Sequence, residues 1–293
     1  DRHVTTTWRM SALLGNYVAP VPAQQRVGKH WYLGSADAIY QSLNLIHDDK
    51  PDIVVVVGAD HVYRMDFSQM VDAHIDSKAD ITIAAQPVEA NDAPGMGIFR
   101  FDRNGQIVAF EEKPNAARLG EIRQSIPPGA IFTGHSPEKP FVASMGVYVF
   151  SRDVLLELLA ANDARDFGRE IIPAALDKYR VSSFLFRGYW ADVGTVDSFY
   201  DANIMLARPH APFNFYEPYR PIYTHARFLP GSRLGECDVR DGIIAEGCYL
   251  DRCSVQESIV GIRTNVRGTF LGMKFQFLLF EQFAFGDVLG KAP

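Results

Sequence analysis

The run Ile53-Val-Val-Val-Val57 constrains this chain more than any other stretch. Five β-branched residues without polar alternation disfavour a helix and read as a strand covered on both faces, the pattern of a parallel sheet. Upstream, Ala36, Ile39, Leu43 and Ile46 recur three or four residues apart, which predicts a helix capped by Ser35 and ended by Lys50-Pro51. A second helix is expected over 67–77 and a second buried strand over Ile81 to Val88. A helix between two such strands is the βαβ unit of an α/β domain.

The middle of the chain changes character. Gly97 to Phe101 and Gln106 to Glu111 flank Asp102-Arg-Asn-Gly105, and an Asn-Gly step between apolar strands signals a hairpin. Residues 115–140, with several Pro and Gly, read as a long loop and hence as a candidate lid or binding loop. A strand over Ala143 to Phe150, a Leu-rich helix over 152–161, a helix capped by Asp166 and a strand over Val181 to Phe186 follow. After Pro209 comes a Pro-rich linker to about residue 230. Beyond it Ile243, Tyr249 and Val255 fall six apart, as do Val260 and Val266, which suggests β-helix coils and is also compatible with short strands and tight turns. From Phe270 the Phe-rich, weakly charged tail keeps no such period and would be an aggregation hazard if exposed.

With 293 residues, 47% hydrophobic, the chain can bury the core of one large domain with an appendage or of two ordinary ones. A formal charge of −6 argues against a nucleic-acid partner, so an anionic ligand must be met by placed Lys and Arg. No apolar stretch approaches the ~20 residues of a membrane helix and no signal peptide is seen, so no membrane association is expected and the location is read as cytoplasmic, or plastidial in a eukaryote. Cys237, Cys248 and Cys253 form neither a CxxC pair nor a zinc pattern and read as small apolar residues in a reducing compartment. The chain opens at Asp1 in a polar, Thr-rich segment, and the expectation is that its N-terminus is incomplete.

Two aspartates stand out. Asp60 follows the Val run, and ligands of open α/β sheets sit beyond strand ends, where a carboxylate can hold Mg²⁺; it can equally cap a turn. Asp192 follows Tyr189-Trp190-Ala191 and precedes Val193-Gly194-Thr195, so it can share that ion, cap the helix expected near Val196, or do both. Glu111-Glu112-Lys113-Pro114 is either solvated charge or a lysine placed for a sugar phosphate. Gln24-Gln25-Arg26 and Trp31-Tyr-Leu-Gly34-Ser35 offer amide groups and helix N-terminal N–H groups suited to a nucleotide, or simply a capped helix with a packed Trp.

In order along the chain, Q-Q-R, W-Y-L-G-S-A-D-A, G-A-D-H-V-Y-R-M-D, E-E-K-P, F-V-A-S-M-G-V-Y-V-F, D-F-G-R-E-I-I-P and Y-W-A-D-V-G-T-V-D-S-F-Y-D-A-N closely resemble the ADP-glucose pyrophosphorylase (glucose-1-phosphate adenylyltransferase) family over about residues 1–269. The resemblance implies an α/β nucleotide-diphosphosugar transferase domain with a Rossmann-like mixed sheet (1–208), a linker (209–230) and a truncated left-handed parallel β-helix (231–269), leaving 270–293 unassigned. It implies adenylyl transfer from ATP to glucose 1-phosphate with Mg²⁺ on Asp60 and Asp192, and a homotetramer at full length. It carries Gly97, Glu112, Lys113, Ser144, Asp166 and Trp190 to the glucose 1-phosphate site, and Gln24, Gly34, Ser35 and Asp60 to the nucleotide. Arg2, Arg9 and Arg26 become candidates for a sugar-phosphate or glycerate-phosphate effector site. The family's Gly-rich phosphate loop has no counterpart here, so the chain as given is expected to be inactive. A non-catalytic regulatory or assembly subunit, or another sugar-phosphate nucleotidyltransferase, remains the alternative.

Overall fold

The computed structural model describes residues 2–8, 10, 15–23, 31–102, 105–124, 136–161, 166–268 and 270–271. In chain order the elements are α1 (Arg2–Thr7), α2 (Ser35–Tyr40), α3 (Leu43–Asp49), β1 (Ile53–Val56), β2 (His61–Tyr63), α4 (Phe67–Asp76), β3 (Ile81–Val88), β4 (Gly97–Phe101) and β5 (Ile107–Glu112). They continue as α5 (Ala116–Gln124), β6 (Phe141–Ser151), α6 (Arg152–Ala161), α7 (Ile172–Ala175), β7 (Val181–Leu185), β8 (Trp190–Asp192) and α8 (Val196–Ala207), with short strands from Arg233 to Leu271. They divide into two compact units, one of Val21–Ala59 with Arg64–Gly188, the other of Asp1–Pro20, Asp60–Tyr63 and Tyr189–Pro293.

The first unit is built on a mixed sheet of order β5-β4-β6-β3-β7, with β1 also on β6. β6 runs antiparallel to β1, β3 and β4, and β3 runs parallel to β7. β1 and β3 therefore point the same way with β6 between them, joined through α4 as a crossover. Ile81, Ile83, Phe150, Leu155, Leu159, Phe167 and Ile171 are nearly or wholly inaccessible and form the main core. Each such side chain contributes on the order of 1.5–3 kcal/mol by leaving water.

Three local expectations change here. β1 is not covered on both faces: among the described residues it pairs only with β6, and Val55 and Val57 are 39% and 49% exposed. The β-branched run specifies a strand, but its burial depends on neighbours that the run itself does not encode. Ser35 is the first residue of α2 and not its cap; Asp37 Oδ2 instead accepts the Leu33 N–H at 2.8 Å and the Gln41 amide at 3.0 Å. The helical stretch also breaks at Gln41-Ser42 before α3, which ends at left-handed Lys50 as expected. The expected loop over 115–140 begins as α5, whose Leu119 and Ile122 are buried and whose Arg118 N–H is held by Asn115 Oδ1 at 2.9 Å; residues 125–135 of that loop lie outside the described residues.

The second unit contains the β2–β8 ribbon, α8 and the coils of a parallel β-helix. Asp238 pairs with Ser254 and Tyr249 with Asn265, so each coil takes 16 residues (254 − 238 and 265 − 249) and not three hexapeptides. Left-handed backbone recurs with that period at Glu236, Arg252 and Gly268, at Asp241 and Glu257, and at Gly247 and Arg263. Each non-glycine corner costs about 1–2 kcal/mol, which ladder hydrogen bonds and stacked apolar side chains offset. The inner stack is Val239, Ile244, Leu250, Val255, Val260 and Val266 with the cysteines. Val255, Val260 and Val266 were legible from spacing, whereas Ile243 and Tyr249 are each one residue off the stack. Tyr249 instead lies between the guanidiniums of Arg233 and Arg267, 5.8 and 5.2 Å from its ring centre. The ladder runs on to Phe270–Leu271, which pair with Ser254 and Val255, two residues past the expected break.

Candidate functional site

β2 and β8 form an antiparallel ribbon in which His61 faces Asp192, Val62 faces Ala191 and Tyr63 faces Trp190. The pairing extends one step further, since Val193 N–H donates to the Asp60 carbonyl at 2.9 Å. Two aspartates far apart in sequence are thereby fixed at one ribbon end. Asp192 Oδ1 accepts the Gly194 N–H at 2.7 Å and closes a turn. It does not cap α8: that cap is Thr195, which exchanges side chain-to-backbone bonds with Ser198 in a capping box. Among the described residues the second oxygen of Asp192 accepts no hydrogen bond. Asp60 is 66% exposed, with Oδ1 3.5 Å from His61 Nε2.

Behind these carboxylates the His61 ring stands edge-on to Trp190, with centroids 5.2 Å apart. His61 Nδ1 and Trp190 Nε1 are buried and meet no hydrogen-bond partner among the described residues. A buried polar group left in that state costs about 1–3 kcal/mol, so the ribbon end carries an unmet polar demand. Among the described residues no group of three or more His, Cys, Asp or Glu converges at metal-holding spacing. The donor set suits a hard cation such as Mg²⁺, held by one or two carboxylates and completed by phosphate oxygens and water, and does not suit a closed zinc centre.

In the first unit, β5 ends at Glu112 opposite Gly97 on β4. A Cβ on Gly97 would lie 2.7 Å from Glu112 Oε2, and a Cβ on Gly168 would lie 2.6 Å from the same atom. The carboxylate thus occupies a slot that two glycines leave open. Burial, and then the nearby charge of Asp166, hold the Glu112 carboxyl above the usual range, with Lys113 and Arg169 opposing. Asp166 caps the next helical turn as expected, accepting Arg169 N–H at 2.9 Å. Lys113 takes left-handed backbone (φ 50°) just before Pro114 and donates its N–H to the Met96 carbonyl at 2.9 Å. A non-glycine residue held there costs about 1–3 kcal/mol, a form of strain that concentrates at functional sites. Its ammonium makes no salt bridge among the described residues.

Ser144 joins this set through a bulge. On a regular strand, residues four apart are separated by about 13 Å. Where Ile83 pairs with Tyr148 and Ala85 with Ser144, β6 spends three residues against one on β3, turning at Gly146 (φ 67°). Ser144 and Tyr148 are drawn close together, with Ser144 Oγ accepting the Gly146 N–H at 3.2 Å, and burial raises the Tyr148 phenol well above its ordinary range. Tyr148 in turn stacks on Phe167 at 5.3 Å. Sequence reading missed Tyr148, Phe167 and Gly168; the available signal was glycine inside the apolar strand S-M-G-V-Y, which marks a bulge.

The predicted sugar-phosphate residues therefore divide, with Gly97, Glu112, Lys113, Ser144 and Asp166 in one unit and Trp190 in the other. Gly34 accepts the Ala38 N–H at 3.1 Å at the start of α2, with Ser35 beside it. Gln24, Arg9 and Arg26 lie outside the described residues, as does the side chain of Arg2. Among the described residues no helix is long and apolar enough to cross a membrane.

A sequence model of the nucleotidyl transferase family matches residues 1–208, and one of the GLGC left-handed parallel beta-helix domain matches 227–271. Similar curated proteins include a glucose-1-phosphate adenylyltransferase of Paenarthrobacter aurescens (strain TC1), 46% identical over 89% of this chain and 58% of that protein. Another is the glucose-1-phosphate adenylyltransferase of Arthrobacter sp. (strain FB24), 44% identical over the same shares. The chain thus spans 58% of the length of these relatives.

Proposed function

This chain belongs to the nucleotidyl transferase family, and on that premise we propose that it serves adenylyl transfer from ATP to α-D-glucose 1-phosphate, giving ADP-glucose and pyrophosphate for glycogen or starch synthesis. The observation that carries the reading is the β2–β8 ribbon, which brings Asp60 and Asp192 to one end with carboxylate oxygens available to a ligand. The names of the similar proteins select the substrates within the family.

In this reading Asp60 and Asp192 hold Mg²⁺ together with the nucleotide phosphates. When bound there, the ion would supply charge neutralisation at the α-phosphoryl group. Glu112 and Asp166 accept hydrogen bonds from sugar hydroxyls, Ser144 adds a hydroxyl, and Gly97 leaves the room in which the Glu112 carboxylate sits. Lys113 supplies a point charge for the phosphate, and Trp190 is assigned to the sugar by the family resemblance alone. Gln24, Gly34 and Ser35 serve the adenine and ribose. Such transfer depends on positioning and charge neutralisation and needs no covalent nucleophile. A homotetramer, a sugar-phosphate or glycerate-phosphate effector met by Arg2, Arg9 or Arg26, and a cytoplasmic location complete the proposal.

The test is product formation by the protein carrying this chain. With Mg²⁺, ATP and glucose 1-phosphate should give ADP-glucose, while UTP, CTP or dTTP should give at least about tenfold less of their products. A preference for another nucleotide would point to a different sugar nucleotidyltransferase. Binding of both substrates without turnover would point to the regulatory subunit.

A further inference from the structure

The β-helix stacks Cys237 on Cys253. Each follows a left-handed corner, Glu236 (φ 51°) and Arg252 (φ 48°), and Asp238 N–H donates to the Cys253 carbonyl at 3.0 Å, so the two cysteines hold the same place in successive coils. Adjacent strands lie about 4.8 Å apart, within the Cα separations of about 4.4–6.8 Å that a disulfide spans. Their sulfurs are 3.1 Å apart. Cys253 is buried and Cys237 half-exposed, so a small reagent has access from one side. Cys248 is set apart, its thiol directed at the Gly261 carbonyl at 3.0 Å.

We propose that Cys237 and Cys253 are a redox modification site, a dithiol that closes to an intrachain disulfide by exchange with low-molecular-weight disulfides. The Cys237 thiolate attacks one sulfur of the reagent, forming a mixed disulfide and releasing one small thiolate. The Cys253 thiol then loses its proton and attacks Cys237 Sγ, expelling the second small thiolate. Two protein thiols thereby lose two electrons and two protons, and one reagent disulfide becomes two thiols. Burial, with the neighbouring Cys237 thiol, holds the Cys253 thiol up at about 11, which fits Cys237 as the entry point and Cys253 as the slower, closing partner. The bond joins residues 16 apart (253 − 237) across one full coil, so it latches one coil to the next.

The test equilibrates the folded protein with oxidised and reduced glutathione at graded ratios, quenches in acid, unfolds it and counts free thiols by alkylation and mass spectrometry. Of the three cysteines, two should be lost together with a mass decrease of about 2 Da, one peptide should link Cys237 to Cys253, and Cys248 should stay alkylated. The oxidised protein should melt about 5 °C higher, and dithiothreitol should reverse the shift. Cys253→Ser should stop at a glutathione adduct on Cys237 without the melting shift. Three free thiols at every ratio, a wild-type adduct that never closes, or cross-links between chains would each overturn the proposal.

Discussion

Replacing Gly168 by Ala should separate sugar-phosphate binding from folding. The new Cβ would lie 2.6 Å from Glu112 Oε2 and must open to ordinary contact near 3.4 Å, which displaces the carboxylate by about 0.8 Å (3.4 − 2.6). Because that oxygen ends a side chain that can swing, and because Ala gains up to about 1 kcal/mol over Gly within a helix, the melting temperature should stay within about 3 °C of wild type. A charge-assisted hydrogen bond to a sugar hydroxyl is worth about 1.5–3 kcal/mol, so its loss should raise KM for glucose 1-phosphate roughly 10- to 100-fold, with KM for ATP changed less than about twofold. Gly97→Ala provides the contrast. Its Cβ would also meet Phe110 Cζ at 2.2 Å, and that ring is a core residue 6% exposed. Overpacking there costs about 1–3 kcal/mol and should lower the melting temperature by roughly 2–10 °C. A folded Gly168→Ala protein with an unchanged KM for glucose 1-phosphate would refute the view that the two glycines set the position of Glu112.

Other expectations follow from the same contacts. Lys113→Gln should raise KM for glucose 1-phosphate at least about tenfold in steady-state assays, with little change in melting, since the ammonium makes no structural salt bridge among the described residues. His74 is buried, bonded to Thr82 Oγ1 at 2.9 Å and Ser151 Oγ at 3.3 Å, and burial lowers its pKa while Asp80 opposes this. The unfolded chain therefore binds this proton more readily. The stability that His74 provides should be complete above its ordinary pKa of about 6.5 and fall as the pH drops through that value toward the lowered folded one, and denaturant midpoints in His74→Gln should show a shallower acid slope. Leu250→Ala, at a fully buried position in the β-helix stack, should cost about 2–5 kcal/mol in denaturant titration.

What the sequence made legible was local chemistry. β3, the β4–β5 hairpin, α6 and the Asp166 cap are specified by apolar runs, turn residues and caps that act over a few neighbours, and the structure places them as read. Partners far along the chain were hidden. A β-branched run such as Ile53 to Val57 specifies a strand but not which neighbours cover it; Pro114 and Gly120 masked α5, whose Leu119 and Ile122 are held by tertiary contacts. The β-helix period was disguised because successive corners fall five, six and five residues apart in each coil, moving the stack off a strict hexapeptide. For the site, Asp60 and Asp192 were legible as a possible pair at strand ends, but the antiparallel ribbon between distant segments that joins them was not. The Glu112 slot and the Ser144–Tyr148 pair depend on absent side-chain atoms and on a bulge, neither of which local periodicity expresses.

If the ribbon end holds a magnesium ion for nucleotidyl transfer, pyrophosphate release from ATP and glucose 1-phosphate depends on Mg²⁺. Release by the protein should be saturable in Mg²⁺ and absent with chelator, and Asp60→Asn and Asp192→Asn, both at exposed positions, should each lower kcat by at least about 100-fold without loss of folding. Release that is indifferent to divalent cations, or either variant turning over within about threefold of wild type, would contradict it.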